Sequence, residues 1–393
     1  MDINTILERG VAEVIEKEHL KKRLEDGNIL RVKLGIDPTA KDLHLGHTVV
    51  LRKLKNFQDI GHQAVLIIGD FTATVGDPSG RNELRPILTE EQIKENMSNY
   101  LKEAGKVLDI SKTEVRYNSE WFRAKGPGFL FDLASKFTVA RSLERDDFQK
   151  RLKENKDVSV LELIYPLLQG YDSVAVNADV EIGGTDQKFN LLVGRKVQRR
   201  YDKPEQDVVI VPLIEGLDGV RKMSKSYGNY IAISDTAEEM FNKTMSIPDD
   251  LMMKYFELLT DISQDEISRL GQDHLHPNDA SLKPIEWKKK LAHKLVETYH
   301  DISAADKAQN NFERIFSKKE LPENIPEYKI EESEIGIVDL MTKSGLVSSK
   351  TESKRLLEQG AVSVNGEIEK NWEAVAKRGD VIKIGPRKFI KVF

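Results

Sequence analysis

The stretch Arg221-Lys222-Met223-Ser224-Lys225-Ser226 puts two lysine ammonium groups and two hydroxyls between Gly216 and Gly219 on one side and Gly228 on the other. A loop of this make-up can close over a polyphosphate, its glycines leaving the backbone free to move. A solvated basic turn has the same composition, so the loop alone decides nothing. About 180 residues earlier, Gly35-Ile36-Asp37-Pro38-Thr39 and then His44-Leu45-Gly46-His47 lie between a strand pattern and a helix pattern. A helix that starts there points free N–H groups and the positive end of its dipole at an anion. His44 and His47 are three apart and share a face, which aims two imidazole donors at neighbouring oxygens, and Gly46 lets a flat group approach the backbone. Two histidines so spaced also suit a plain helix surface or a satisfied core pair. A metal site is less attractive, because the same face carries no suitably spaced acid.

Asp77, in Asp77-Pro78-Ser79-Gly80, follows the second strand and faces the same crevice. A carboxylate there repels phosphate, so its useful partner is a cation such as a substrate ammonium. Tyr165, Gln169 and Asp172 follow one another at spacings of four and three. They are either a half-buried helix edge or a hydroxyl, an amide and a carboxylate converging on something small with several polar ends. Gly183-Gly184-Thr185-Asp186-Gln187 is a glycine turn after a strand, suited to contact with a ring and to hydroxyl binding by Asp186. No Ser/His/Asp or Cys/His nucleophile set is present. The inventory fits in-line attack of a substrate carboxylate on an α-phosphate, with charge stabilised as pyrophosphate leaves.

The elements that must hold these groups read as α/β. Leu30 to Ile36 and Ala64 to Gly69 are strands flanking a helix from Leu45 to Ile60 that Gly61 stops, a β-α-β unit with a buried parallel sheet. Val208 to Leu213 is a further strand before the basic loop. The chain of 393 residues is too long for one core. We expect a Rossmann-like catalytic domain with a helical insertion at 1–232, a helical domain at 233–318, a polar linker with Pro322 and Pro326 at 319–334, and a small α+β module at 335–393. Thr236-x-x-Glu239 and Ser263-x-x-Glu266 read as capping boxes. With no cysteine, disulfides, thiolate catalysis and cysteine-bound zinc are excluded. No apolar run has the length of a membrane span and the amino terminus carries acids where a signal peptide is basic, so a cytoplasmic protein without membrane partners is expected. Net charge is −5, yet Leu340 to Phe393 carries eleven Lys or Arg against six Asp or Glu, which suits phosphate contacts by the tail.

On these residues the chain resembles the class I aminoacyl-tRNA synthetases: His44-Leu45-Gly46-His47 matches their HIGH signature with Leu for Ile, and Lys222-Met223-Ser224-Lys225-Ser226 matches KMSKS throughout. Over nearly its whole length it is similar to the bacterial tyrosyl-tRNA synthetases, through Gly35 to Ala40, Gly76 to Gly80, Tyr165 to Asp172, Gly183 to Gln187 and an S4-like RNA-binding module at the carboxyl end. The resemblance implies that Asp77, Tyr165 and Gln169 hold a tyrosine ammonium, Asp172 its phenol, and Gln187 lies near its carboxylate. It implies ATP contacts from Asp37, Gly46, Gly184, Asp186, Ser224 and Lys225, with Thr39, His44, His47, Lys222 and Lys225 acting on the polyphosphate. ATP would bring Mg2+ with it, without zinc. Lys350, Lys354 and Arg355 would meet tRNA(Tyr), the helical domain would face the anticodon stem and loop, and the chain would be a symmetric homodimer through its helical insertion. One position departs from the pattern: Lys33 stands where many members carry a Tyr beside the phenol. Phenol recognition then rests on Asp172, or Lys33 substitutes. The alternatives are a tryptophanyl-type synthetase, which generally lacks the S4 tail and the phenol partner, and an RNA-binding homologue without catalysis.

Overall fold

Six strands form the larger sheet: β1 (Glu13–Ile15), β2 (Arg31–Ile36), β3 (Gln63–Ile68), β4 (Glu114–Tyr117), β5 (Val180–Gly184) and β6 (Asp207–Val211). The computed structural model describes residues 2–79, 88–275, 283–316, 325–330, 333–385 and 388–393, so Gly80 and much of the expected linker fall outside it. The order across the sheet is β1-β6-β5-β2-β3-β4. All neighbours run parallel except β1, which pairs antiparallel with β6. Ala64, Val65, Leu66, Ile67 and Ile68 are all buried, as befits a parallel strand covered on both faces. From β2 the chain passes through helix Leu45–Asp59 to β3 and outward to β4, whereas β5 and β6 lie on the other side of β2. The carboxyl ends of β2 and β5 therefore diverge into a crevice at the topological switch point, the place where open α/β sheets bind ligands.

Helix Val160–Ala175 opens on a capping box between Ser159 and Glu162 and lies against helix Lys188–Arg200. The two approach closely at Gly170 and Gly194, where a methyl on Gly170 would sit 2.8 Å from Val197 Cγ2 and 3.1 Å from Gly194 Cα. Beyond the sheet come helices Ala237–Thr244, Met252–Leu259, Gln264–Leu275, Pro284–Tyr299 and Ile302–Phe316. Thr236 and Glu239 form the expected capping box, and Ser263 Oγ accepts from Glu266 N at 3.3 Å.

The chain divides into two units, residues 1–306 and 307–393. The expected boundary at 232/233 lies inside the first unit, where Met252–Leu259 packs against Leu45–Asp59. In the second unit, β7 (Glu327–Tyr328), β9 (Val362–Val364), β10 (Glu367–Glu369), β12 (Val381–Ile384) and β13 (Lys388–Val392) make a sheet ordered β10-β9-β12-β13-β7, while β8 (Glu334–Gly336) pairs with β11 (Val375–Lys377). Asn365 at φ 52° and Gly366 at φ 91° form the tight turn between β9 and β10. Glu327 and Tyr328, assigned to the linker by their polar surroundings, are instead a strand paired with Lys391 and Val392. Tyr328 and Ile330 supply the apolar side chains that dock it on the core of this unit.

Candidate active site

A cavity of about 350 Å³ opens at the switch point. Its walls include every residue singled out above for phosphate, nucleoside or amino-acid binding, from Asp37, Thr39, His44, Gly46 and His47 through Asp77, Tyr165, Gln169 and Asp172 to Gly184, Asp186, Gln187, Lys222, Ser224 and Lys225.

The histidines build the start of helix Leu45–Asp59 as well as one wall. His44 Nδ1 accepts from Gly46 N at 3.1 Å, and His47 Nδ1 accepts from His44 N at 3.1 Å, a capping box made of two imidazoles. Their ring centroids are 3.9 Å apart. Burial, and then the charges of Lys225 and Lys222, lower His47 to about 4; burial and the neighbouring His47 carry His44 well below its ordinary value. Both rings are therefore neutral near pH 7. Since each Nδ1 accepts, each proton sits on Nε2, and the ring's free donor is Nε2–H.

The basic loop is tied at both ends. Met223 N donates to Ile214 O at 2.8 Å as the loop begins, and past it Leu45 N donates to Ile231 O and Ile233 N to Leu43 O, each at 3.0 Å. The chain just past the basic loop is thus bridged to the His44 segment, and the loop's own start to Glu215. Lys222 Nζ lies 2.8 Å from Asp186 Oδ2 and Lys225 Nζ 3.3 Å from Asp42 Oδ2. The flanking glycines do something other than confer freedom. A methyl on Gly216 would fall 2.0 Å from Asn229 O, and Gly228 takes φ +64°. Asn229 fills the loop from within, its Oδ1 accepting from Ser224 N at 2.9 Å and its Nδ2 donating to Asp218, Arg221 O and Lys222 O.

The rest of the pocket is a polar cage. Tyr165 OH donates to Asp37 Oδ2 at 2.9 Å, and Thr72 Oγ1 donates to Asp37 Oδ1 at 2.8 Å. Asp37 therefore stands beside Tyr165, among the groups expected for the ammonium rather than apart from them. Gln187 Nε2 donates to Asp77 Oδ2 at 2.7 Å. Asp172 is 4% exposed and accepts from Trp121 Nε1 at 3.0 Å and Asn118 Nδ2 at 3.3 Å. Burial raises it to about 7, against the lowering influence of Lys33 and of these two bonds.

Trp121, Asn118, Thr72, Asn190 and Arg145 support this cage, and sequence reasoning missed all five. They sit outside any recognisable spacing, and their roles exist only through contacts made across the fold. Among the described residues no group of three or more His, Asp and Glu could hold a metal ion.

In the second unit Lys350 and Arg355 have acidic neighbours, Asp339 at 2.7 Å and Glu352 at 3.9 Å, while Lys354 Nζ lies 4.1 Å from the centroid of the exposed Trp372 ring. All three side chains reach the surface of that unit.

Residues 25–317 match the family model for tRNA synthetases class I (W and Y), and residues 318–385 match the Tyrosine--tRNA ligase SYY-like C-terminal domain. The chain belongs to the class I tRNA synthetases of the W and Y family. It is similar to the tyrosine--tRNA ligase of Thermotoga maritima, at 50% identity over 98% of this chain and 96% of that one. That of Dehalococcoides mccartyi strain CBDB1 is 49% identical over 99% of this chain and 98% of its own. Among solved structures, the tyrosyl-tRNA synthetase of Archaeoglobus fulgidus complexed with L-tyrosine gives a TM-score of 0.62 at 23% identity, covering 78% of this chain and 98% of that one. A truncated mitochondrial tyrosyl-tRNA synthetase of Aspergillus nidulans gives 0.65 at 21%, covering 79% and 92%. These structural likenesses establish the class I synthetase fold.

Within this synthetase the departure at Lys33 has a definite geometry. Lys33 is wholly buried and donates to Glu181 Oε1 and Ser173 Oγ, each at 2.8 Å, and to Gln169 O at 3.0 Å. Its ammonium is committed to these partners. It reaches Asp172 only through its charge.

Proposed function

We propose that the chain is a tyrosine--tRNA ligase: it activates L-tyrosine with ATP to tyrosyl-adenylate and pyrophosphate, then transfers the tyrosyl group to the 3′ end of tRNA(Tyr). The observation that carries the reading is a buried carboxylate, Asp172, held by Trp121 and Asn118 in the same pocket as two neutral imidazoles and two lysines. A tyrosine phenol donates a hydrogen bond to Asp172. Phenylalanine would leave that buried carboxylate without its substrate donor, a loss that discriminates between the two; the tyrosyl enzyme is itself a standard example of this selectivity.

The ammonium sits among Asp77, Tyr165 and Gln169. One oxygen of the tyrosine carboxylate attacks the α-phosphorus in line as the bond to the bridging oxygen of pyrophosphate breaks, so the electron pair leaves with pyrophosphate. His44 and His47 donate from Nε2 to the phosphates, with Thr39 beside them, and Lys222 and Lys225 stabilise the charge that develops. Before ATP arrives Lys222 is paired with Asp186; on moving to the phosphates it frees Asp186 for a ribose hydroxyl, beside Gly184 and Gly46, where backbone meets the nucleoside. Mg2+ enters on ATP as part of the substrate.

Lys350, Lys354 and Arg355 contact the tRNA backbone. A second copy of the chain covers the insertion, where Phe131 is 76% exposed and Val139 and Val160 also face solvent, giving a homodimer. The reaction takes place in the cytoplasm, where ATP and tRNA meet. The tryptophanyl reading is disfavoured by full-length relatives near 50% identity that are tyrosine--tRNA ligases.

Amino-acid-dependent exchange of pyrophosphate into ATP tests the proposal. Exchange is expected with tyrosine alone; exchange with tryptophan, or with neither, would sink it.

A further inference from the structure

We infer that Lys33 and Glu181 are positioning residues for the substrate ammonium: as a buried ion pair they fix which way round the Gln169 amide stands. The inference rests on reading the pocket as a tyrosine site. Lys33 on β2 and Glu181 on β5 are register partners at the centre of the sheet, 0% and 1% exposed in their side chains, with Nζ 2.8 Å from Oε1. Two charges buried together contribute little net stability, because desolvation offsets their attraction, so the pair is better understood through what it holds.

Glu181 accepts from Lys33, from Ser173 Oγ at 3.2 Å, from Gln206 Nε2, and from Gln169 Nε2 at 3.3 Å. A carboxylate only accepts hydrogen bonds. The Gln169 amide must therefore turn its NH2 towards Glu181 and its oxygen the other way, where Oε1 accepts from Asn190 Nδ2 at 3.1 Å. Asn190 is set in the same sense from the far side. Arg145 only donates, and its Nη1 lies 2.8 Å from Asn190 Oδ1, which leaves Nδ2 to face Gln169, Asp77 and Ser79. An amide is nearly symmetric in shape, and a flip of Gln169 would cost little in packing. It would set an NH2 against the substrate NH3+. Lys33 completes the lock by a second route, since its Nζ also holds the Gln169 carbonyl and Ser173 on the same helix.

The test compares equilibrium binding of L-tyrosine with that of 3-(4-hydroxyphenyl)propanoate, which keeps the phenol and carboxylate and lacks the ammonium, in the full-length protein and in Glu181→Gln. Glutamine at 181 can present either an oxygen or an NH2 and so removes the constraint. The expected result is a tyrosine Kd raised roughly tenfold or more, the effect of one hydrogen bond to a charged group, with the Kd of the ammonium-free analogue unchanged. Equal weakening of both ligands, or no change in either, would overturn the inference. Should Glu181→Gln fail to fold by thermal unfolding, the double variant Lys33→Met/Glu181→Gln, in which no charge is left buried alone, carries the same comparison and the same two outcomes. Wild-type protein that bound tyrosine no better than the analogue would overturn the ammonium site itself, a failure of the functional reading that precedes any variant.

Discussion

Asp172 and the two histidines are displaced from their ordinary titration ranges in opposite senses, and the consequences differ in sign. Asp172 is raised from 3.8 to about 7 by burial. The folded chain keeps a proton that the unfolded chain releases, so this residue makes the fold less stable as pH rises from 3.8 to about 7, and Asp172→Asn removes that slope from urea unfolding measured across the range. In the proposed function, tyrosine binding needs the ionised form. Lowering the pH from 8 to 6 should therefore raise the tyrosine KM up to roughly tenfold, one unit below the midpoint leaving about a tenth of the carboxyl ionised. Asp172→Asn should flatten that profile and cut the preference for tyrosine over phenylalanine by roughly 10- to 100-fold. His47, lowered to about 4, and His44 act the other way. Unfolded imidazoles take up protons that the folded ones refuse, so stability is present above pH 6.5 and lost as pH falls towards 4. Lys225→Ala should slow adenylate formation by roughly 10²-fold, as loss of one preorganised donor does, with tyrosine affinity unchanged in equilibrium binding. A near-normal single-turnover rate would remove Lys225 from the mechanism.

At the level of elements, the pocket depends on two helices lying close enough to present Tyr165, Gln169 and Asp172 over the strand ends. Gly170 permits that approach. Gly170→Val should destabilise the fold by about 1–3 kcal/mol, the usual cost of overpacking, read as a lower urea midpoint at an unchanged m-value. The spacing of Tyr165, Gln169 and Asp172 was legible in the sequence because helical periodicity depends only on neighbours along the chain. So were β2 and β3, whose apolar runs reflect burial on both faces, and the Thr236 cap. β1 and β4 were not: Glu13–Ile15 has only three residues, and Glu-Val-Arg-Tyr at 114–117 is an edge strand with charged side chains. Trp121 and Asn118 became visible only once β4 and the turn after it were placed beside Asp172. The orientation of Gln169 lay further out of reach, since it follows from a pairing of Lys33 with Glu181 across 148 residues.

For the whole molecule, the proposed function assigns activation and tRNA capture to different stretches of chain. Because β7 pairs with β13, a truncation at residue 330 would strand an unpaired strand; a stop after Phe316 avoids this. That form should keep pyrophosphate exchange within about twofold while charging of tRNA at physiological salt drops by roughly tenfold or more, as expected when phosphate contacts are lost. Phe131→Asp should convert the proposed dimer to a 44.7 kDa species in sedimentation equilibrium; an unchanged mass would place the interface elsewhere. The strand order carries a further consequence for how the protein is made. β2 is the centre of the sheet, yet its partner β5 follows it by about 140 residues. At 5–20 residues per second a ribosome needs roughly 7–30 s to supply that partner. Through that interval the nascent chain holds a strand with one bare edge and, on it, a lysine whose counter-charge has yet to be synthesised.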